Sequence, residues 1–145
     1  MAPASRTVVA ERVRGRTPLP TRATRGSAGF DIAACEPVTL RPGKVVLVPT
    51  GWRLRAPPGT FLEVRPRSGL SSKGVLMVNA PGTIDRDYSG EVFVPMTYLF
   101  RGSYRIEAGD RIAQVRVVPD LAARFRPGDV RPLASRRGGF GSTGR

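Results

Sequence analysis

The stretch "EVFVPMTYLF", residues 91–100, decides the fold class, because it is rich in the β-branched and aromatic residues that favour strands. It ends at the turn-like "FRGS" (100–103). After a second glycine turn, "EAGD" (107–110), a similar run follows in "RIAQVRVVP" (111–119). Short runs of this kind, separated by glycine, are typical of neighbouring β-strands rather than of helices.

The rest of the chain repeats this pattern. Four further runs predict strands: "TVVAERV" (7–13), "KVVLVPTGW" (44–52), "TFLEVR" (60–65) and "VLMV" (75–78). Fourteen prolines and seventeen glycines punctuate the chain. Many short strands between such turns predict an all-β sandwich, jelly roll or barrel. Only "SGLSSKG" (68–74) predicts a helix, of one or two turns, with Ser68 as its N-cap and Gly74 at its end.

Composition limits the possible functions. The 145 residues suit a single domain, and 24 Lys+Arg against 11 Asp+Glu give a formal charge of +13. Such an excess favours phosphate-bearing partners such as nucleotides, nucleic acid or an anionic surface, although an excess made almost wholly of arginine fits a coding bias equally well. The chain has no histidine, which excludes Ser-His-Asp and Cys-His catalysis and His-ligated zinc.

The single cysteine, Cys35, excludes an intrachain disulfide. No run of 18 apolar residues and no signal-peptide core are present in the sequence, so we expect a protein without membrane association, cytoplasmic or, if viral, intracellular. The tail "RPLASRRGGFGSTGR" (131–145) has little apolar content, which predicts a β domain over 1–130 and a flexible C-terminal arm over 131–145.

Two segments carry residues suited to chemistry. In "RPRSGLSSKG" (65–74), Arg67 and Ser68 precede a possible helix N-terminus, where phosphate oxygens are favoured; a capped turn with a solvated arginine fits equally well. In "GTIDRDYSGEV" (82–92), an ionised Asp85 could act as a general base toward water or help hold a cation. The same segment also fits an Asp-rich hairpin turn with Tyr88 half-buried.

Five segments together resemble the motifs of the homotrimeric dUTPase family, in that family's order. They are "AGFDIAA" (28–34), "RPRSGLSS" (65–72), "NAPGTIDRDYSGEV" (79–92), "GDRIAQ" (109–114) and "RGGFGSTG" (137–144). The resemblance implies a distorted jelly-roll or β-barrel-like single domain, with one short helix near 69–74. It also implies a homotrimer with active sites shared between subunits, which hydrolyses dUTP to dUMP and pyrophosphate with Mg²⁺. Uracil would thereby be kept out of DNA, and dUMP supplied for thymidylate synthesis.

The resemblance also implies roles for single residues. Asp85 matches the carboxylate that activates the water attacking the α-phosphorus. Asp31 matches an acid near the metal, acting through water, while the triphosphate holds Mg²⁺. The residues implied to bind phosphates are Arg67, Ser68, Gly69, Gln114, Arg136, Gly141, Ser142 and Thr143. Those implied to bind uracil and deoxyribose are Asn79, Thr83, Ile84, Tyr88, Phe93 and Phe140.

The chain departs from the family pattern in three places. Ser135 stands where an arginine is usual, so its phosphate role is carried to Arg136. The fifth motif is one residue tighter than usual, and Thr83 replaces an aliphatic residue. The residues before 28 carry no motif and support no functional prediction beyond a strand.

Three alternatives remain at this point. The first is a dCTP deaminase or bifunctional enzyme of related fold, which the glycine-rich fifth motif disfavours. The second is a dUTPase-like protein that has lost catalysis and binds a partner. The third is a basic β-barrel that binds nucleic acid, although the strands lack the aromatic and basic platform of such modules. We therefore expect dUTP as the substrate, with no specific nucleic-acid partner.

Overall fold

The computed structural model describes residues 6–131, in which eleven short strands and one helix are present. The elements in chain order are β1 (Val9–Arg12), β2 (Phe30–Ala33), β3 (Val38–Leu40), β4 (Val46–Pro49), β5 (Trp52–Arg55), β6 (Thr60–Pro66), α1 (Ser68–Ser71), β7 (Val75–Met77), β8 (Gly82–Ile84), β9 (Phe93–Tyr98), β10 (Tyr104–Ile106) and β11 (Arg111–Pro119). The all-β prediction is confirmed.

The strands form four antiparallel sheets. The largest has the order β2-β11-β6-β8, and a second has the order β4-β9-β7. The pairs β1-β5 and β10-β3 complete the set. Within residues 6–131 these sheets do not close into a barrel, so the jelly-roll form of the prediction describes the domain better than the barrel-like form.

Alternation along the strands builds the core. In β5, Trp52 and Leu54 are buried while Arg53 and Arg55 are exposed, which is the pattern of a strand with one face in the core. β6 and β9 follow the same rule; from them Leu62, Val64, Val94 and Met96 enter the same buried cluster. The core therefore receives side chains from all four sheets, and the loops at the strand ends are left free to carry a site.

All six predicted strand segments contain strand residues, but "KVVLVPTGW" covers β4 and only the first residue of β5. Gly51 adopts a φ of +77° between β4 and β5, and a side chain there would come within 2.3 Å of the Arg14 carbonyl oxygen. The sequence pattern missed β2, β3, β8 and β10 and all of β5 after Trp52; each of these strands has three or four residues. Such short segments become strands through pairing with a neighbour, as β10 does with β3.

The predicted helix is present but begins one residue early. Arg67, with φ −97° and ψ 130°, is the N-cap, and no side chain caps the first turn. The prediction of Ser68 as the N-cap is therefore wrong, because Ser68 already lies within α1. The prediction that Gly74 ends the helix is also wrong, because α1 ends at Ser71 with Ser72 as its C-cap. Gly74 instead lies in the turn before β7: its φ is +80°, and a Cβ there would lie 2.5 Å from the Phe100 ring.

Candidate active site

A pocket of about 290 Å³ opens between β8 and the start of β9. Five of the six residues predicted to contact the base and the sugar line it: Asn79, Thr83, Ile84, Tyr88 and Phe93. The walls combine buried and exposed side chains: Ile84 is buried, whereas the side chains of Tyr88 and Phe93 are 45% and 39% exposed. A concave, partly apolar pocket with a few polar groups at its edge suits a small flat ligand.

The turn after β8 determines where the Tyr88 ring lies. The Tyr88 N–H donates to the Asp85 carbonyl at 3.1 Å, which closes the turn, and the Tyr88 hydroxyl donates to the Glu91 carbonyl at 2.8 Å. Gly90 makes room for this arrangement, because a Cβ there would lie 2.4 Å from the hydroxyl oxygen. The backbone then joins the core, where the Val92 N–H donates to the Trp52 carbonyl at 2.8 Å.

Asp85 follows directly after β8 and is exposed. It lines a neighbouring pocket together with Thr83, Asp87 and Asp120. The hairpin-turn interpretation of the acidic segment is therefore correct only for the turn itself, because β8 and β9 on either side of it lie in different sheets and do not pair. The Asp85 side chain is exposed at this turn. Glu91, the third acid of that segment, has a different place: its carboxylate contacts the Arg14 guanidinium and the Gly51 N–H.

A second group of predicted residues meets around Asp31, whose side chain is 7% exposed. Its Oδ1 lies 3.2 Å from Arg67 Nε and 3.5 Å from Gln114 Nε2, and its Oδ2 lies 3.4 Å from Arg111 Nη1. Arg67 Nε is buried and makes no hydrogen bond of good geometry, so its contact with Asp31 is a close charge pair rather than an aligned hydrogen bond. Arg67 Nη1 donates to the Arg111 carbonyl at 3.1 Å.

Strand pairing explains why these residues meet although they are far apart in sequence. Asp31 on β2 lies opposite Gln114 on β11, and Gln114 lies opposite Arg65 on β6. Arg67 follows the end of β6, so its side chain reaches the same end of the sheet. Ser68 and Gly69 are exposed at the start of α1, next to Arg67.

The two groups line different pockets. Arg67 lines a polar pocket of about 270 Å³ with Lys73, Asp110 and Arg111. The five described residues predicted to bind base and sugar, called the base-side residues below, line the pocket between β8 and β9, called the base-side pocket. The remaining predicted residues lie outside the described part of the chain: Arg136, Phe140, Gly141, Ser142 and Thr143.

Two arginines were not predicted as site residues. Arg111 lies inside the segment "GDRIAQ", which could have pointed to it, and it pairs with Asp31. Arg14 lies in a segment without a motif, and its guanidinium stands 5.7 Å from the centre of the Phe93 ring. Only the folded chain brings Arg14 to the pocket.

Two groups beside the Glu91 segment have shifted pKa values. The pKa of the Arg14 guanidinium is raised, chiefly by its hydrogen bond to Glu91. The pKa of the Cys35 thiol is raised above its ordinary value, chiefly because partial burial disfavours the thiolate, although the nearby Arg14 opposes this shift. Cys35 is only partly buried.

Residues 6–131 contain no cluster of three His, Cys, Asp or Glu side chains arranged to hold a metal ion. Within that range, no helix has the length and apolar character that a membrane crossing needs.

Comparison with known proteins decides the family. The model of the dUTPase family matches residues 16–144. This chain belongs to the dUTPase family. A curated relative from Anaeromyxobacter sp. (strain Fw109-5), named deoxyuridine 5'-triphosphate nucleotidohydrolase, is 51% identical over 96% of this chain and 98% of its own. One of the same name from Desulfotalea psychrophila is 49% identical over 87% of each chain.

Solved dUTPase structures have the same fold. A mutant of the Staphylococcus bacteriophage 80alpha dUTPase with dUpNHpp superposes with a TM-score of 0.84 at 26% identity, over 97% of this chain and 99% of that one. A mutant of the phage phi11 dUTPase, described with a structural Mg(II) ion, gives a TM-score of 0.78 at 22% identity over 86% and 97%, a likeness of fold alone. The predicted dUTPase assignment is confirmed, and with it the prediction of an enzyme, a dUTP diphosphatase.

Proposed function

We propose that this dUTPase hydrolyses dUTP to dUMP and pyrophosphate by attack of an Asp85-activated water on the α-phosphorus. One observation supports this most strongly: the five described base-side residues line one pocket, and Asp85 follows directly on the strand that forms its wall. Its exposed carboxylate is free to accept a proton from water, which is what a general base needs.

Base selection follows from the polar pattern of such a pocket. Uracil offers acceptor, donor and acceptor along its pairing edge, whereas cytosine offers donor, acceptor and acceptor. A pocket edge of fixed backbone groups and the Asn79 amide leaves polar groups unpaired with cytosine, at a cost of about 1–3 kcal/mol for each buried group. The Tyr88 ring, fixed through its hydroxyl, would pack against deoxyribose and leave no room for a 2′-hydroxyl.

The residues around Asp31, here called the Asp31 group, are suited to binding the phosphates of the nucleotide. We propose that Arg67, Ser68, Gly69 and Gln114 bind the triphosphate, since guanidinium and amide N–H groups bind phosphate oxygens well. The described residues fit Mg²⁺ only indirectly, because each Asp31 oxygen already faces a nitrogen donor within 3.5 Å. Asp31 would therefore contact a metal through water while the phosphates hold it. Bound in this way, Mg²⁺ would neutralise charge on the phosphate oxygens.

A homotrimer with shared sites is also proposed. The segment after β11 carries three apolar side chains without cover, Leu121, Phe125 and Val130, which are 88%, 106% and 96% exposed. Exposed apolar side chains in succession mark an interaction surface. The separation of the base-side pocket from the Asp31 group within one chain supports the same proposal, because a partner subunit could bring the two together. We propose that Arg136, Phe140, Gly141, Ser142 and Thr143, which lie outside the described part of the chain, cover the nucleotide.

In a cell, we propose a cytoplasmic enzyme that keeps uracil out of DNA and supplies dUMP for thymidylate synthesis. The test is pyrophosphate release with Mg²⁺, compared across dUTP, UTP, dCTP and dTTP. We expect strong preference for dUTP. Comparable release from all four would refute the proposed pocket, and ammonia release from dCTP would indicate the deaminase alternative. Nucleotide binding without turnover would indicate a protein that has lost catalysis.

A further inference from the structure

Arg14 contacts the base-side pocket from outside. Its Nε donates to both carboxylate oxygens of Glu91, each at 3.0 Å, and its guanidinium lies 5.7 Å from the centre of the Phe93 ring. The second distance is within the range of a cation–π contact. Glu91 and Phe93 both line the pocket between β8 and β9, so one arginine touches two residues of its wall.

Glu91 in turn connects Arg14 to the rest of the pocket. Its Oε1 accepts from the Gly51 N–H at 2.8 Å, which ties it to the turn between β4 and β5. Its backbone carbonyl accepts from the Tyr88 hydroxyl at 2.8 Å. The Glu91 side chain is only 13% exposed, so the contact with Arg14 is shielded on one side from water. The position of the Tyr88 ring therefore depends on a residue that Arg14 helps to hold.

We propose that Arg14 is a positioning residue for this pocket, which holds Glu91 and Phe93 and, through Glu91, the Tyr88 ring in the geometry that accepts a deoxyribonucleoside. This inference rests on the proposed function, because it names a further residue of the same site. Arg14 contacts Glu91 and Phe93 of the base-side wall, whereas the described pocket that Arg67 lines contains none of these three residues. Arg14 therefore acts on recognition of base and sugar rather than on the phosphates.

The variant Arg14→Gln distinguishes an effect on recognition of base and sugar from an effect on binding of the phosphates. We expect the KM for dUTP and the inhibition constant of dUMP to rise about three- to tenfold, the range for loss of a charged contact worth about 0.7–1.4 kcal/mol. The kcat should stay within about twofold, and the inhibition constant of inorganic tripolyphosphate should not change. Preference for dUTP over UTP should fall, because Tyr88 is less well fixed.

Three variants serve as controls. Arg14→Lys keeps the charge but loses the planar group over Phe93, so its KM should lie between the wild-type and Arg14→Gln values. Glu91→Gln should give a similar rise in KM, and adding Arg14→Gln to it should raise KM little further, since both changes break the same contact. Arg105→Gln breaks an exposed pair with Glu107, 3.0 Å long, and should leave KM unchanged because neither residue lines the pocket between β8 and β9.

The outcomes are distinct. An unchanged KM and dUMP inhibition constant in Arg14→Gln would overturn the proposal, and so would equal losses for dUMP and tripolyphosphate, which would indicate a general structural role. If Arg14→Gln does not fold, Arg14→Lys and Glu91→Gln carry the same comparison. Failure of the wild-type protein to release pyrophosphate from dUTP would instead refute the proposed function itself.

Discussion

Asp31→Asn tests whether the Asp31 carboxylate holds Arg67 and Arg111 in place. The substitution keeps the size of the side chain but removes the charge that faces Arg67 at 3.2 Å and Arg111 at 3.4 Å. Arg67 Nε is buried and has no hydrogen-bond partner, so the Asp31 carboxylate at 3.2 Å is its counter-charge. The variant therefore leaves a largely buried cation without its counter-ion.

The size of the effect follows from burial. Removing one member of a fully buried ion pair destabilises a protein by about 3–5 kcal/mol. Here the side chains of Arg67 and Arg111 are 26% and 57% exposed, so water replaces part of the lost contact. We expect a loss of about 2 kcal/mol in the free energy of unfolding. With a urea dependence of about 2 kcal/mol per molar, the unfolding midpoint should fall by about 1 M.

The assay is urea unfolding at one fixed protein concentration, because subunit association changes apparent stability. Glu11→Gln is the matched control: it breaks a 3.6 Å pair with Arg53 in which both side chains are about half exposed or more. That control should lose less than about 0.5 kcal/mol. If the midpoint of Asp31→Asn lay within about 0.2 M of the wild-type value, the argument from burial would be wrong.

Three further predictions concern the nucleotide and the thiol. Deleting residues 136–145 should reduce turnover severely and leave the domain folded, because the sequence of the arm has little apolar content to add to a core; a full rate in the truncated enzyme would contradict its proposed closure over the nucleotide. Tyr88→Ala should relax the bias against UTP, and unchanged sugar discrimination would remove Tyr88 from its role. The sole cysteine, Cys35, should react slowly with iodoacetamide at pH 8, and its rate midpoint should lie at higher pH than that of a free thiol such as N-acetylcysteine, because burial raises its pKa and only the thiolate reacts. A midpoint at or below that of the free thiol would contradict this.

Much of the fold could be predicted because composition and turns agree along the chain. Runs such as 91–100 and 111–119 combine β-branched residues with glycine boundaries, and both became strands. The shortest strands could not be predicted, because their conformation depends on partners distant in sequence. Tyr104 of β10, for example, pairs with Leu40 of β3. The N-cap was misplaced because Arg67, held near Asp31 and the Arg111 carbonyl, takes the extended conformation that Ser68 was expected to take.

The site, like the fold, could be predicted only in part from the sequence. Motif residues such as Asp31 and Gln114 could be picked out, but their meeting depends on pairing between strands 83 residues apart. The contact of Arg14 with Glu91 spans 77 residues and involves no motif on the arginine's side. Arg111 lay inside a recognised segment, yet only its 3.4 Å approach to Asp31 gives it a place in the site.

The most direct test of the chemistry is Asp85→Asn, measured by dUTP binding and by single-turnover pyrophosphate release on the same preparation. The amide keeps the shape of the turn after β8 but cannot accept a proton from water as a carboxylate does. We predict a dissociation constant for dUTP within about threefold of the wild-type value, together with a loss of turnover of at least about a hundredfold. Turnover near the wild-type rate in this variant would contradict the assignment of Asp85 as the group that activates water.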